Sequence, residues 1–153
     1  MKSLIIFHRA LQNHRVLKKC GAEIHKRDQL MSPYKRKNEE YNPKMYQEIS
    51  TEYCNYIKLY LKLGLKISIL KIERSKMKES AVAISNKDII DDQKHFVTVI
   101  GKIYDLFKHA GFCRQTRLFS NMIFCLLKDL FKLYKVLEIY NMELLERFEA
   151  LPH

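Results

Sequence analysis

The sequence predicts an all-α fold, built as an antiparallel helical bundle or a superhelical solenoid. Long stretches repeat apolar residues every three or four positions, the spacing of one helical face. Residues that break helices are scarce, with 4 Gly and 3 Pro among 153 residues. Hydrophobic residues make up 47% and charged residues 29%, which is a globular balance in a chain of single-domain size.

Residues 2–27 read as one or two helices, with Leu4, Phe7, Leu11 and Leu17 as the apolar stripe. Met1 and Lys2 run straight into this stripe without a capping residue, as if the chain were a piece of a larger helical domain. Gly21 follows Lys18 and Lys19 and suits a helix end there. Residues 28–43 read as a loop between Pro33 and Pro43, carrying the basic patch Lys35-Arg36-Lys37. A second helix spans 44–76, on the stripe Ile49, Tyr53, Tyr56, Tyr60, Leu63, Ile67 and Leu70. Residues 77–87 read as a loop, in which Ser85-Asn86-Lys87-Asp88 supplies turn and cap chemistry. The third helix spans 88–110, with Phe96, Ile100, Ile103 and Phe107 inward and Asp88, Asp91 and Asp92 at its amino end; Gly111 stops it. The last spans 116–149. Its stripe is Phe119, Ile123, Leu126, Leu130, Leu133, Leu137, Asn141, Leu144 and Phe148, and Pro152 marks the exit.

The net charge of +11 favours an anionic partner: nucleic acid, an acidic protein or a phospholipid surface. Residues 1–44 hold 11 Lys and Arg against 4 Asp and Glu, so most of the excess lies near the amino end. Arg9, His14, Arg15, Lys18 and Lys19 cluster in that segment and are the candidate lipid-binding residues. Two lysine stripes, Lys58, Lys62 and Lys66, and Lys128, Lys132 and Lys135, are candidates for an electropositive face. No segment reaches the roughly 20 apolar residues that cross a bilayer, so membrane contact would be peripheral.

The chemistry of catalysis and metal binding is thin. Cys20, Cys54, Cys113 and Cys125 are scattered, without a Cys-x-x-Cys pair, and read as free thiols of a reducing cytosol. Neither Cys20 with His25 nor His8 with His14 has a spacing that puts two ligands on one helical face. The glycine-rich phosphate loops, the nucleophile elbow and the His-Glu-x-x-His motif are all missing. We therefore expect no catalytic residue, no metal and no cofactor. Tyr53, Tyr56 and Tyr60 have the spacing of core residues rather than of a base-stacking platform. The tripeptides Asp105-Leu106-Phe107 and Asp129-Leu130-Phe131 look like adaptor-binding peptides, but they lie within apolar helical stripes.

Three segments together are similar to the ANTH domain of the clathrin-assembly proteins. The last helix carries Leu126-Leu127-Lys128-Asp129, then Lys132-Leu133-Tyr134, then Leu144-Leu145-Glu146-Arg147-Phe148, in the family's order and spacing. The opening, Lys2-Ser3-Leu4 through His8 to Leu11, resembles the family's third helix. Tyr60-Leu61 with Leu65 resembles a later one, and Tyr34-Lys35 and the approach from Ser50 to Tyr56 match more loosely. Tyr140 stands where family members have glycine, a change that bears on a kink or a packing contact.

The resemblance implies an ENTH/VHS-like solenoid truncated at both ends. The implied function is that of a non-enzymatic endocytic adaptor, which binds phosphoinositide membrane and promotes clathrin coat assembly. Implied partners are anionic phospholipid, including phosphatidylinositol 4,5-bisphosphate, together with clathrin and vesicle SNAREs; nucleic acid is not expected. The implied location is cytoplasmic and peripheral on membrane, at clathrin-coated pits and vesicles, with the Golgi as a further candidate. The family's lysine-rich lipid motif would precede Met1, and its clathrin-binding tail would follow His153, so no lipid-binding residue carries over. The alternatives are a basic helical module for nucleic acid, or a fragment without independent activity.

Overall fold

The computed structural model describes residues 1–26, 43–110 and 117–150. Among them every regular element is helical: α1 (Lys2–Leu11), α2 (His14–Lys26), α3 (Pro43–Lys66), α4 (Met77–Val82), α5 (Asn86–Ala110) and α6 (Arg117–Glu149). Two short 3-10 turns, Ser68–Lys71 and Arg74–Lys76, join α3 to α4. The fold is all-α. The basic patch Lys35-Arg36-Lys37, Tyr34, Cys113, Gly111 and Pro152 lie outside the described residues.

Several boundaries differ from the sequence reading, each for a local reason. The first break falls at Gln12–Asn13, and Gly21 lies inside α2. Asn13 acts as the cap: its side-chain oxygen accepts from the Arg15 backbone N–H at 2.9 Å. The second helix ends at Lys66 instead of running to 76, because Ile67 is extended (φ −96°, ψ 109°). This bend lets Ile67, Ile69 and Leu70 all bury. Lys71 Nζ then closes the end of α3 on the Leu65 carbonyl at 2.6 Å.

Residues 77–82 form helix α4 rather than loop, burying Met77 and Ala81. The run Met-Lys-Glu-Ser-Ala-Val contains no breaker, and the apolar pair at i and i+4 gives it a face to bury. Helix α5 starts at Asn86, two residues earlier than expected. Ser85 caps it, accepting from the Asp88 N–H at 3.1 Å and donating to the Asp88 carboxylate at 2.6 Å.

Helix α3 packs against α2 and α5, and α6 packs against α1, α4 and α5. The largest fully buried side chains are Tyr53, Tyr56, Tyr60, Tyr140 and Phe96. The whole stripe expected for the second helix is buried, Ile49 to Leu63 on α3 and Ile67 and Leu70 beyond its end. On α6 the buried face is rotated from the expected one: Met122, Cys125, Asp129, Val136, Tyr140 and Glu143 join Phe119, Leu126 and Leu133, while Asn141 and Phe148 are exposed. Tyr140 fills a packing contact, its ring 6.0 Å from Phe96 and its hydroxyl donating to Asp92 at 2.9 Å.

Candidate functional site

Helices α1, α3 and α6 meet around a buried polar cluster. His8 comes from α1, Tyr53, Tyr56 and Tyr60 from one face of α3, and Asp129 from the middle of α6. His8 Nε2 lies 2.5 Å from Asp129 Oδ2, and the Tyr56 hydroxyl donates to the same oxygen at 2.6 Å. Gln12 Nε2 donates to Asp129 Oδ1 at 2.8 Å and to the Cys125 carbonyl at 2.7 Å. The Tyr53 hydroxyl sits 2.7 Å from His8 Nδ1. The Asp129 carboxyl group thus collects three donors, as a buried charged group requires.

The tyrosine hydroxyls are held far above their ordinary range. For Tyr56 and Tyr60, burial is the main cause and the Asp129 charge the next. For Tyr53, burial is again first, followed by Cys125 and then Asp129. The Tyr60 hydroxyl faces this charge but makes no hydrogen bond of good geometry among the described residues. His8 is wholly enclosed, so the centre of the cluster joins three helices, while Gln12 and Asp129 form its outer edge.

Directly outside it runs a basic groove between the α1–α2 corner and α6. Its larger part, about 640 Å³, is lined by His14, Arg74, Phe131, Tyr134, Lys135 and Glu138, among others. Its smaller part, about 440 Å³, is lined by Arg9, Phe124 and Asp129. Gln12, Lys128 and Lys132 border both parts.

The cations along it differ in how firmly they are held. Lys132 is half-buried and donates to the Leu70 carbonyl at 2.8 Å. Burial lowers its ammonium pKa, opposed by the nearby Asp129 charge. Lys128 lies over the Phe124 ring, 4.7 Å from its centre, and Lys135 pairs with Glu138 at 2.7 Å. Arg9 donates to Asn121 at 2.7 Å, and Arg74 is exposed on its 3-10 turn.

The five sequence candidates divide. Arg9 and His14 border the groove, whereas Arg15, Lys18 and Lys19 are exposed on α2 and do not. The lysine stripes divide too. Lys128, Lys132 and Lys135 line the groove, but Lys58, Lys62 and Lys66 do not, and Lys66 Nζ lies 2.5 Å from His95 Nε2 on α5.

Sequence reasoning missed Arg74 and the exposed aromatic residues of α6. Phe124 and Phe131 lie off the apolar stripe, seven residues apart, among lysines. That pattern was readable as an outward aromatic face.

The chain was compared with known protein families, with curated proteins and with solved structures. None of the three comparisons found a match.

Among the described residues no group of three or more His, Cys, Asp or Glu is arranged to hold a metal ion. Cys54 and Cys125 are buried and are not joined in a disulfide. No described helix is long and apolar enough to cross a membrane.

Proposed function

We propose that this chain is an ANTH-like, non-enzymatic adaptor module that docks peripherally on phosphoinositide-containing membrane and promotes clathrin coat assembly in endocytosis. The observation that carries the membrane half of this reading is the groove: Arg9, His14, Arg74, Lys128, Lys132 and Lys135 gather along one side of a chain of net charge +11. Its two carboxylates offset little of that charge. Glu138 pairs with Lys135, and Asp129 is taken up by the buried cluster. Each basic residue near an anionic surface contributes about 1 kcal/mol of attraction. Four or five acting together suffice for reversible binding.

The ANTH half is supported by what the resembling segments do. His8 of the opening segment, Tyr56 and Tyr60 of the middle one and Asp129 of the last converge in one buried cluster. Arg147 of the final Leu-Leu-Glu-Arg-Phe string clamps the end of α4. Residues with such architectural tasks are the kind a shared fold would retain. A superhelical solenoid, clathrin and vesicle SNAREs as partners, and a cytoplasmic location at coated pits, coated vesicles or the Golgi belong to this same proposal.

Co-sedimentation with liposomes tests it, using neutral vesicles, phosphatidylserine vesicles and vesicles carrying phosphatidylinositol 4,5-bisphosphate, with RNA as competitor. Preference for the bisphosphate at physiological salt, weakened by reversing Lys128 and Lys135 to Glu, is the expected result. Equal binding to every anionic surface, abolished by RNA, would replace the adaptor reading with that of a basic nucleic-acid-binding module.

A further inference from the structure

The groove has a second property that charge alone does not explain. Phe124, Lys128, Phe131 and Lys135 follow one another on α6 at i, i+4, i+7 and i+11, so they share one face of that helix. Phe124 is 52% exposed and Phe131 72% exposed, and Tyr134 beside them is 68% exposed. Three large rings exposed side by side form a patch, which calls for a partner in a way that an apolar residue exposed alone does not. The cations around them select the covering. On α6 Lys128 lies between the two phenylalanines and Lys135 one turn beyond Phe131, while Arg74 and Arg9 flank the same groove from other elements. Aromatic rings alternating with lysines on one helical face match the boundary between lipid headgroups and acyl chains. There, rings enter the apolar edge and long basic side chains reach back to the phosphates.

We propose that this face of α6 is a bilayer-inserting surface, with Phe124 and Phe131 entering the interfacial region of an anionic membrane while Lys128, Lys135 and Arg74 hold the lipid phosphates. The proposal rests on the membrane-docking reading above and adds to it an orientation and an apolar anchor. Helix α6 would lie along the membrane plane with its Phe131 side down. Lys128 would leave the Phe124 ring, and Lys135 would leave Glu138, each exchanging a solvent-exposed partner for a lipid phosphate.

The chain contains no tryptophan, so a single indole reports its surroundings without background. Phe131→Trp puts that reporter on the proposed face, and Phe148→Trp is the control. Phe148 is 71% exposed on the same helix, yet lies about 25 Å further along and roughly 100° round the axis. Both sites are open enough to accept the larger ring, and circular dichroism checks that each variant keeps its helices. Fluorescence would be read on neutral phosphatidylcholine vesicles and on vesicles with phosphatidylserine and phosphatidylinositol 4,5-bisphosphate, with bromine-labelled acyl chains as quencher.

A blue shift and bromine quenching at Phe131→Trp on anionic vesicles, much stronger than at Phe148→Trp, is the expected result. Alongside it, Phe131→Ser should weaken vesicle binding about tenfold. Vesicle binding without a shift or quenching at Phe131→Trp would overturn the insertion and leave the docking reading intact. Equal quenching at both sites would also overturn it, since adsorption would then have no preferred face. No vesicle binding by the unsubstituted chain would remove the docking reading and this inference with it. RNA that quenches Phe131→Trp more strongly than vesicles do would reassign the rings to base stacking.

Discussion

His8 Nε2 and Asp129 Oδ2 lie 2.5 Å apart although 121 residues separate them, and both side chains are shut off from solvent. This contact ties α1 to α6, and Tyr56 brings α3 to the same carboxyl group. Removing the acceptor leaves His8 Nε2 and the Tyr56 hydroxyl buried without it, while Gln12 keeps only the Cys125 carbonyl. Asp129→Ala should therefore destabilise the fold by about 3–5 kcal/mol, a large share of a typical domain's stability. Urea unfolding measures it. A loss no greater than that of an exposed substitution would show that the cluster does not hold the helices together.

The tyrosines around Asp129 should differ among themselves. Tyr56→Phe removes a hydrogen bond to a charged group and should lose about 1.5–3 kcal/mol. Tyr60→Phe removes a hydroxyl that faces the same charge without a hydrogen bond of good geometry, so it should lose less stability than Tyr56→Phe. The order of the two midpoints in urea is the check, and a reversed order would contradict the assigned bonds.

Raising the pH should unfold the chain through these same residues. Burial, before any neighbouring charge, holds the hydroxyls of Tyr53, Tyr56, Tyr60 and Tyr140 well above the ordinary tyrosine range. A group whose folded pKa is raised contributes its full stability below the unfolded value, about 10. That stability is then lost as pH climbs from there toward the folded value. Far-ultraviolet dichroism followed beside tyrosinate absorbance should show the buried tyrosines ionising together with the loss of helix. Their ionisation in a chain that keeps its helices would refute this.

Glycine replacements separate packing from propensity. A Cβ on Gly64 would stand 2.7 Å from Leu17 Cδ2, and Leu17 is fully buried against it. Gly64→Ala should destabilise by about 1–3 kcal/mol through overpacking of α2 on α3, which outweighs its helix-propensity gain. A Cβ on Gly101 meets nothing within 4 Å, so Gly101→Ala should stabilise α5 by about 0.5–1 kcal/mol. Thermal midpoints that move in opposite directions are the expected readout.

Arg147 closes the end of α4 by donating to the carbonyls of Ala81, Val82 and Ile84 at 3.2, 3.0 and 2.7 Å. Glu143 holds the guanidinium from its own helix at 2.8 Å. Arg147→Lys cannot reproduce this fork and should lose about 1.5–3 kcal/mol. Amide exchange should quicken in Met77–Val82 more than in α3. Uniform exchange across the chain would argue against a local clamp.

The sequence by itself determined the helical class and the inward face of α3. Both follow from local periodicity, because every third or fourth residue of a helix must share a neighbour. It also held the Ser85 cap, whose chemistry acts within a single turn. It did not disclose the ends of α1 and α3, since Asn13 and Ile67 interrupt their helices only where the chain must turn onto another element. The inward face of α6 escaped for a related reason. Asp129 looks like a surface residue until His8, Gln12 and Tyr56 arrive from other helices to satisfy it, and Glu143 is buried only because its neighbour Arg147 is drawn onto the end of α4.

Only the tertiary structure decided which cations share a groove. Arg15, Lys18 and Lys19 are close to Arg9 and His14 in the chain, yet they turn away from the groove. Lys128, Lys132 and Lys135, more than a hundred residues distant, come beside that pair because α6 packs on α1. Charge along a sequence measures attraction to a surface, but its direction depends on packing, and packing is settled by buried contacts far apart in the chain.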